Sequence, residues 1–135
     1  MIRQVVTAGV FCLLAGAAGA DSVTTICTLQ IGRQQTWVPT QVVFRRDRGS
    51  DIVLVNDPLI LHFVKKPVVG RVKTENAKRI TYAWELTSVQ TEAGQRASRI
   101  LYRATLQKAT GAVQISAIPV GFFNTFTALG HCVVK

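Results

Sequence analysis

Residues 80–86, Ile80-Thr81-Tyr82-Ala83-Trp84-Glu85-Leu86, alternate in a way that strongly limits what the chain can become. A strand sends successive side chains to opposite faces. Ile80, Tyr82, Trp84 and Leu86 therefore share one face, while Thr81 and Glu85 share the other. After Thr91-Glu92-Ala93-Gly94-Gln95, a polar stretch with the glycine that a tight connection favours, the alternation resumes. Ile100, Tyr102, Ala104 and Leu106 point one way and Arg103, Thr105 and Gln107 the other. The two runs predict a hairpin. Lys108-Ala109-Thr110-Gly111 is a second turn into residues 112–117, where Val113 and Ile115 alternate with Gln114 and Ser116.

The first half of the chain reads the same way. Residues 41–45 and 51–55 flank the turn composition Asp47-Arg48-Gly49-Ser50, which predicts another hairpin. Asn56-Asp57-Pro58 breaks that run. Strands are then expected over 59–65 and 67–73, with Gly70 as a bulge or bend, and over 122–134 at the end. With residues 24–31 this gives eight or nine short strands. Only 74–79 has a helix-tolerant composition, and it is too short to matter. The fold class is all-β, a small antiparallel barrel or sandwich of about eight strands, and the barrel is the preferred reading. In strand count and closure it resembles the calycin architecture. The Gly-x-Trp signature of lipocalins is missing, since Gly32 is followed by Arg33 and the next tryptophan is Trp37. Trp37 sits in a connection, where an aromatic can plug one end of a barrel or cover a ligand cavity.

The N-terminus reads as an address. One positive charge at Arg3, an apolar stretch over 5–14 and the small residues Ala18-Gly19-Ala20 follow the order of a secretory signal peptide, with cleavage expected after Ala20. The apolar run falls short of the roughly 20 residues that cross a bilayer. Residues 1–20 are thus the signal peptide, and 21–135 are one β domain without a transmembrane segment. The localisation expected is periplasmic or secreted. Removing the leader removes Cys12 and leaves Cys27 and Cys132 near the two ends of the domain. In an oxidising compartment such a pair reads as a disulfide. It would close a loop of about 100 residues, for which chain entropy gives ~4.7 kcal/mol, and in a barrel it would staple the seam between first and last strands.

Charge is the one functional hint. The chain has 16 Lys and Arg against 7 Asp and Glu, a net +9; setting aside Arg3 of the leader leaves 15 against 7, or +8. Candidate anion-binding residues are Arg45, Arg46 and Arg48 in one cluster and Lys65, Lys66, Arg71 and Lys73 in another, with Lys78-Arg79 and Arg96, Arg99 and Arg103 further along. For an exported protein this favours an anionic envelope component, lipid or polysaccharide, or an acidic protein as partner. Nucleic acid is excluded from the reading because the aromatics that would stack bases fall on core faces.

Catalysis is not expected. Nucleophile, base and orienting group must converge. Yet His62 lies beside Leu61 and Phe63 in an apolar run, His131 adjoins Cys132, and Asp47, Asp51 and Asp57 sit in turns. No cofactor loop is present. Metal binding is not expected either, since Cys27, Cys132, His62 and His131 would have to meet at one point, and His131 and Cys132 face opposite ways in a strand. The function expected is a non-catalytic binding protein of the bacterial cell envelope. The alternatives are a small-molecule carrier with an apolar cavity, and an inhibitor or accessory subunit of a periplasmic enzyme probed through the 45–48 segment. Charge spread over the surface counts against the first and last, and a packed interior against the carrier.

Overall fold

The fold is known from a computed structural model that describes residues 21–32, 37–90 and 96–135. The leader expected at 1–20 lies outside the described residues. The strands are β1 Ser22–Gln30, β2 Gln41–Asp47, β3 Ile52–Asn56, β4 Val68–Glu75, β5 Arg79–Gln90, β6 Arg96–Gln107, β7 Ala112–Pro119 and β8 Phe126–Val134, with a helix, α1, at Pro58–Phe63. Each strand pairs antiparallel with the next, and β8 returns to β1, so the sheet closes as a barrel of eight strands. The expected fold class is correct in its barrel form.

The alternating residues do what their spacing dictates. Ile80, Tyr82, Trp84 and Leu86 of β5 face inward with Ile100, Tyr102, Ala104 and Leu106 of β6 and Val113, Ile115 and Ala117 of β7, all at 7% exposure or less. Phe44 stacks on Tyr82 at 4.5 Å and meets Trp84 edge-on at 5.3 Å, while Trp84 stacks on Tyr102 at 5.3 Å. The aromatics thus fill the bore. Gly70 does not bulge; it lets β4 approach β5, where a Cβ would come within 2.9 Å of the Ala83 carbonyl and 3.2 Å of the Trp84 Cβ. The irregularity falls between Val72 and Thr74 instead. The outer wall is mixed, with Arg45, Arg71, Glu85 and Arg103 exposed around its girth beside Leu54, Val69, Ile118 and Leu129. A bore filled with apolar side chains and charges around the girth differ from a barrel that spans lipid, whose outward band is apolar.

Cys27 and Cys132 are register partners across the β1–β8 pair and are joined by a disulfide, with Cα atoms 3.9 Å apart and a sequence separation of 105. The bond staples the junction that no turn connects. Beside it Gly130 faces Leu29, and a Cβ at 130 would collide with the Thr28 carbonyl.

One expected strand fails. Residues 59–65 do not form a strand, because Asp57-Pro58 starts a helix rather than merely ending β3. The Asp57 carboxylate accepts a hydrogen bond from the Ile60 amide at 2.8 Å and so caps α1, and Pro58 occupies the first turn, where its missing N–H costs nothing. Asp57 is consequently buried.

Candidate functional site

The connections alternate between the two ends of the barrel, and the ends differ. One is closed. Here the β1–β2 connection delivers Trp37, 1% exposed, whose backbone carbonyl accepts a hydrogen bond from the Tyr102 hydroxyl at 2.7 Å. The β3–β4 connection delivers α1, which buries Ile60 completely. Trp37 is therefore a plug. Burial raises the Asp57 carboxyl to about 6, against the opposing pull of its hydrogen bonds to Ile60 and Leu59. Burial also raises the Tyr102 phenol, with a smaller contribution from Asp57.

The other end is a mouth. Its turns are short, and a cleft of about 500 Å³ enters the bore between them. Phe44, Tyr82, Ile80, Leu106 and Val23 give it an apolar floor, and Thr25, Gln107 and Thr110 add polar groups. Arg46 continues the inward phase of Val42 and Phe44 on β2, so its guanidinium enters the cleft with the side chain only 11% exposed. Glu75 reaches the same place for a different reason. The inward phase of β4 runs through Gly70 and Val72, which would turn Glu75 outward; the register shift between Val72 and Thr74 reverses the parity and pairs Glu75 with inward-facing Ile80.

The two meet at the rim. Arg46 Nη2 donates to Glu75 Oε1 at 2.9 Å, and Lys108 Nζ donates to Glu75 Oε2 at 3.0 Å. Hydrogen bonds from Arg46 and then Lys108 hold the Glu75 carboxyl below its ordinary value. Burial raises the Tyr82 phenol, with Arg46 opposing and Glu75 adding to the shift. Arg46 Nη1 is buried without a hydrogen-bond partner among the described residues. A buried guanidinium nitrogen left unpaired is costly. Arg46 lines the cleft, so a small adjustment of its guanidinium would offer that nitrogen to an acceptor there.

The structure divides the residues that sequence grouped together. Arg46 and Arg48 line the mouth, but Arg45 lies on the outer wall, opposite Thr24 and Leu54. Lys65 and Lys66 follow α1 at the closed end. Arg71 and Lys73 line a hollow on the convex outer wall with Arg99, Arg103, Leu101 and Ile118; there Arg71 and Arg103 flank Ala83 in one cross-strand row. Arg99 is paired with Glu85 at 2.8 Å. The cations thus occupy three regions. Period two explains the separation of Arg45 from Arg46, and the phase set by Val42 and Phe44 was visible in the sequence. Glu75, Tyr82 and Lys108 were not singled out, and for Glu75 no sequence signal marks the bulge.

The histidines are far apart. His131 faces outward, its ring nitrogen 2.9 Å from the Thr110 carbonyl, and His62 stands edge-on to Phe63 on α1 at the opposite end. No protein-family model matches the chain, and neither a curated protein nor a solved structure was found to be similar to it.

Proposed function

We propose that this is an exported, non-catalytic binding protein that takes a small amphipathic anion into the mouth of its barrel. The apolar part would lie against Phe44, Tyr82 and Leu106, and the acidic head would meet Arg46, with Arg48 and Lys108 at the rim. One observation carries the reading: Arg46 points into an apolar cleft with Nη1 unpaired. Ordinary ligand sites are clefts of roughly 300–1,000 Å³, mostly apolar with a few placed polar groups, and the mouth fits that description. A charge-assisted hydrogen bond to the ligand would satisfy the nitrogen that the fold leaves unpaired. The disulfide is compatible with placement outside the cytoplasm, in a periplasm or beyond it.

This reading joins two of the expected functions, the anion binder and the carrier. The lower bore is filled by stacked aromatics, so a carrier with a deep cavity is not favoured. The 45–48 segment does not form a continuous basic loop, which weakens the case for an inhibitor that inserts it. A second reading rests on the outer wall, where Arg71 and Arg103 flank Ala83 and would suit an extended polyanion.

Matched ligands test the proposal. Decanoate, decyl phosphate, decanol and decylammonium share a chain and differ in head group; binding to the purified oxidised protein is followed by calorimetry and by tryptophan fluorescence, Trp84 being in contact with the cleft residue Phe44. The expected order places both anions well ahead of the alcohol, with the amine weakest, and Arg46→Met abolishes the preference. Equal binding of all four, or an anion preference unchanged in Arg46→Met and lost in Arg71→Ser/Arg103→Ser, would overturn the mouth reading.

A further inference from the structure

The closed end presents a different chemistry. Its connections display large apolar groups to solvent: Phe123 is wholly exposed, Phe122 is 48% exposed and Leu61 on α1 is 56% exposed. Single exposed apolar residues are ordinary. Here, however, three of them stand at one end of the barrel, two as adjacent phenylalanines at the tip of the β7–β8 connection. Phe122 also has its ring 6.5 Å from that of the Trp37 plug, which ties the tip to the rigid bore.

The cations at this end complete the pattern. Lys65 and Lys66 follow α1, and Arg96 opens β6; all three are exposed. The acidic residue located here among the described residues is Asp57, and it is buried as the cap of α1. The acids Asp21, Asp47, Asp51 and Glu75 all belong to the mouth end. Exposed charge at the closed end is therefore of one sign, among the described residues.

We propose that the closed end docks on the surface of an anionic lipid bilayer, with Phe122 and Phe123 inserted at the headgroup boundary and Lys65, Lys66 and Arg96 over the headgroups. Protruding aromatic rings on an end whose exposed cations are lysines and an arginine suit a soft, planar, negatively charged partner. A protein partner would have to supply a pocket deep enough for a fully projecting ring and acids spread over the whole end. Docked in this way, the barrel would hold its mouth away from the bilayer. The surface is distinct from the proposed ligand cleft, and either can fail without the other.

Sedimentation of the purified oxidised protein with vesicles tests it. Vesicles of phosphatidylcholine alone are compared with vesicles that also contain phosphatidylglycerol, at low and at raised salt. Binding is expected to the anionic vesicles only and to weaken with salt. Phe122→Ser/Phe123→Ser should lower the affinity about tenfold or more, since the inserted apolar area is lost, and Lys65→Gln/Lys66→Gln should erase the preference for anionic lipid. These residues are on the surface, so unchanged circular dichroism will establish that each variant is folded. Absence of binding by the unaltered protein, or binding undiminished in the phenylalanine variant, overturns the proposal. So does a dimer in analytical ultracentrifugation that the phenylalanine variant dissolves, which would give the tip to a second copy of the chain.

Discussion

At the closed end of the barrel, two connections fold back over the bore and bury Trp37, which accepts the Tyr102 hydrogen bond, and Ile60, with none of the three more than 2% exposed. At the mouth the connections are residues 48–51, 76–78 and 108–111, too short to reach the axis, and the inward position on β2 is held by Arg46 instead of an apolar side chain. The same wall thus encloses a hydrophobic plug at one end and an ion pair over an apolar floor at the other. Stability should be concentrated where the bore is filled. Recognition should be concentrated where filling stops, because a buried charge offers specificity at little gain in stability.

The sharpest way to break this comparison is to cut away the plug. Trp37→Ala removes a wholly buried indole, and a loss of about 3–5 kcal/mol is expected, as for large aromatic truncations in cores; urea unfolding followed by circular dichroism will measure it. A loss below about 1 kcal/mol would mean that the end can collapse and that the plug is not what holds it. Next in size is the seam. Changing Cys27 and Cys132 to Ala should cost about 2–5 kcal/mol, since the loop released from constraint is long, and the same urea measurement on reduced protein should agree.

Asp57 distinguishes the ends by pH. Its folded value of about 6 lies above the ordinary 3.8, so the native protein binds the proton more tightly than the unfolded chain does. The stabilisation from that proton is complete below 3.8 and disappears as pH rises through 6. Between those limits the unaltered protein should gain stability on acidification, on the order of 3 kcal/mol in total. Asp57→Asn keeps a capping side chain without the charge and should flatten this part of the profile. Parallel profiles for the two proteins would show that Asp57 is not the group responsible.

The smallest effect on stability is expected at the mouth. Arg46→Met fills the same space without a charge and leaves Glu75 with Lys108, so the change, of either sign, should be within about 1 kcal/mol of neutral. The same variant is the one expected to lose anion preference. A cost comparable to that of Trp37→Ala would make Arg46 a structural residue and remove the contrast between the ends.

Much of this architecture was legible from spacing alone. The inward faces of β5, β6 and β7 follow from their alternation, and the cysteine pair announced which strands meet at the seam. Where the reading failed, local signals had two meanings. Asp57-Pro58 both ends a strand and begins a helix, and the apolar residues that follow suit either element, so only the bore beneath them, into which Ile60 inserts, selected the helix. The basic clusters misled differently, because neighbours in sequence are placed on opposite faces by the pleat.

The class of fold, the phase of the long strands and the pairing of Cys27 with Cys132 follow from the order of residues, because they depend on period two and on a count of thiols. The site does not follow from it. Glu75 meets Arg46 across the mouth because a register shift in β4 reverses the face of everything after it, and the guanidinium is left partly unpaired because the short turns above it do not close the bore. Both are consequences of how strands far apart in sequence are brought into one ring, which no local pattern encodes.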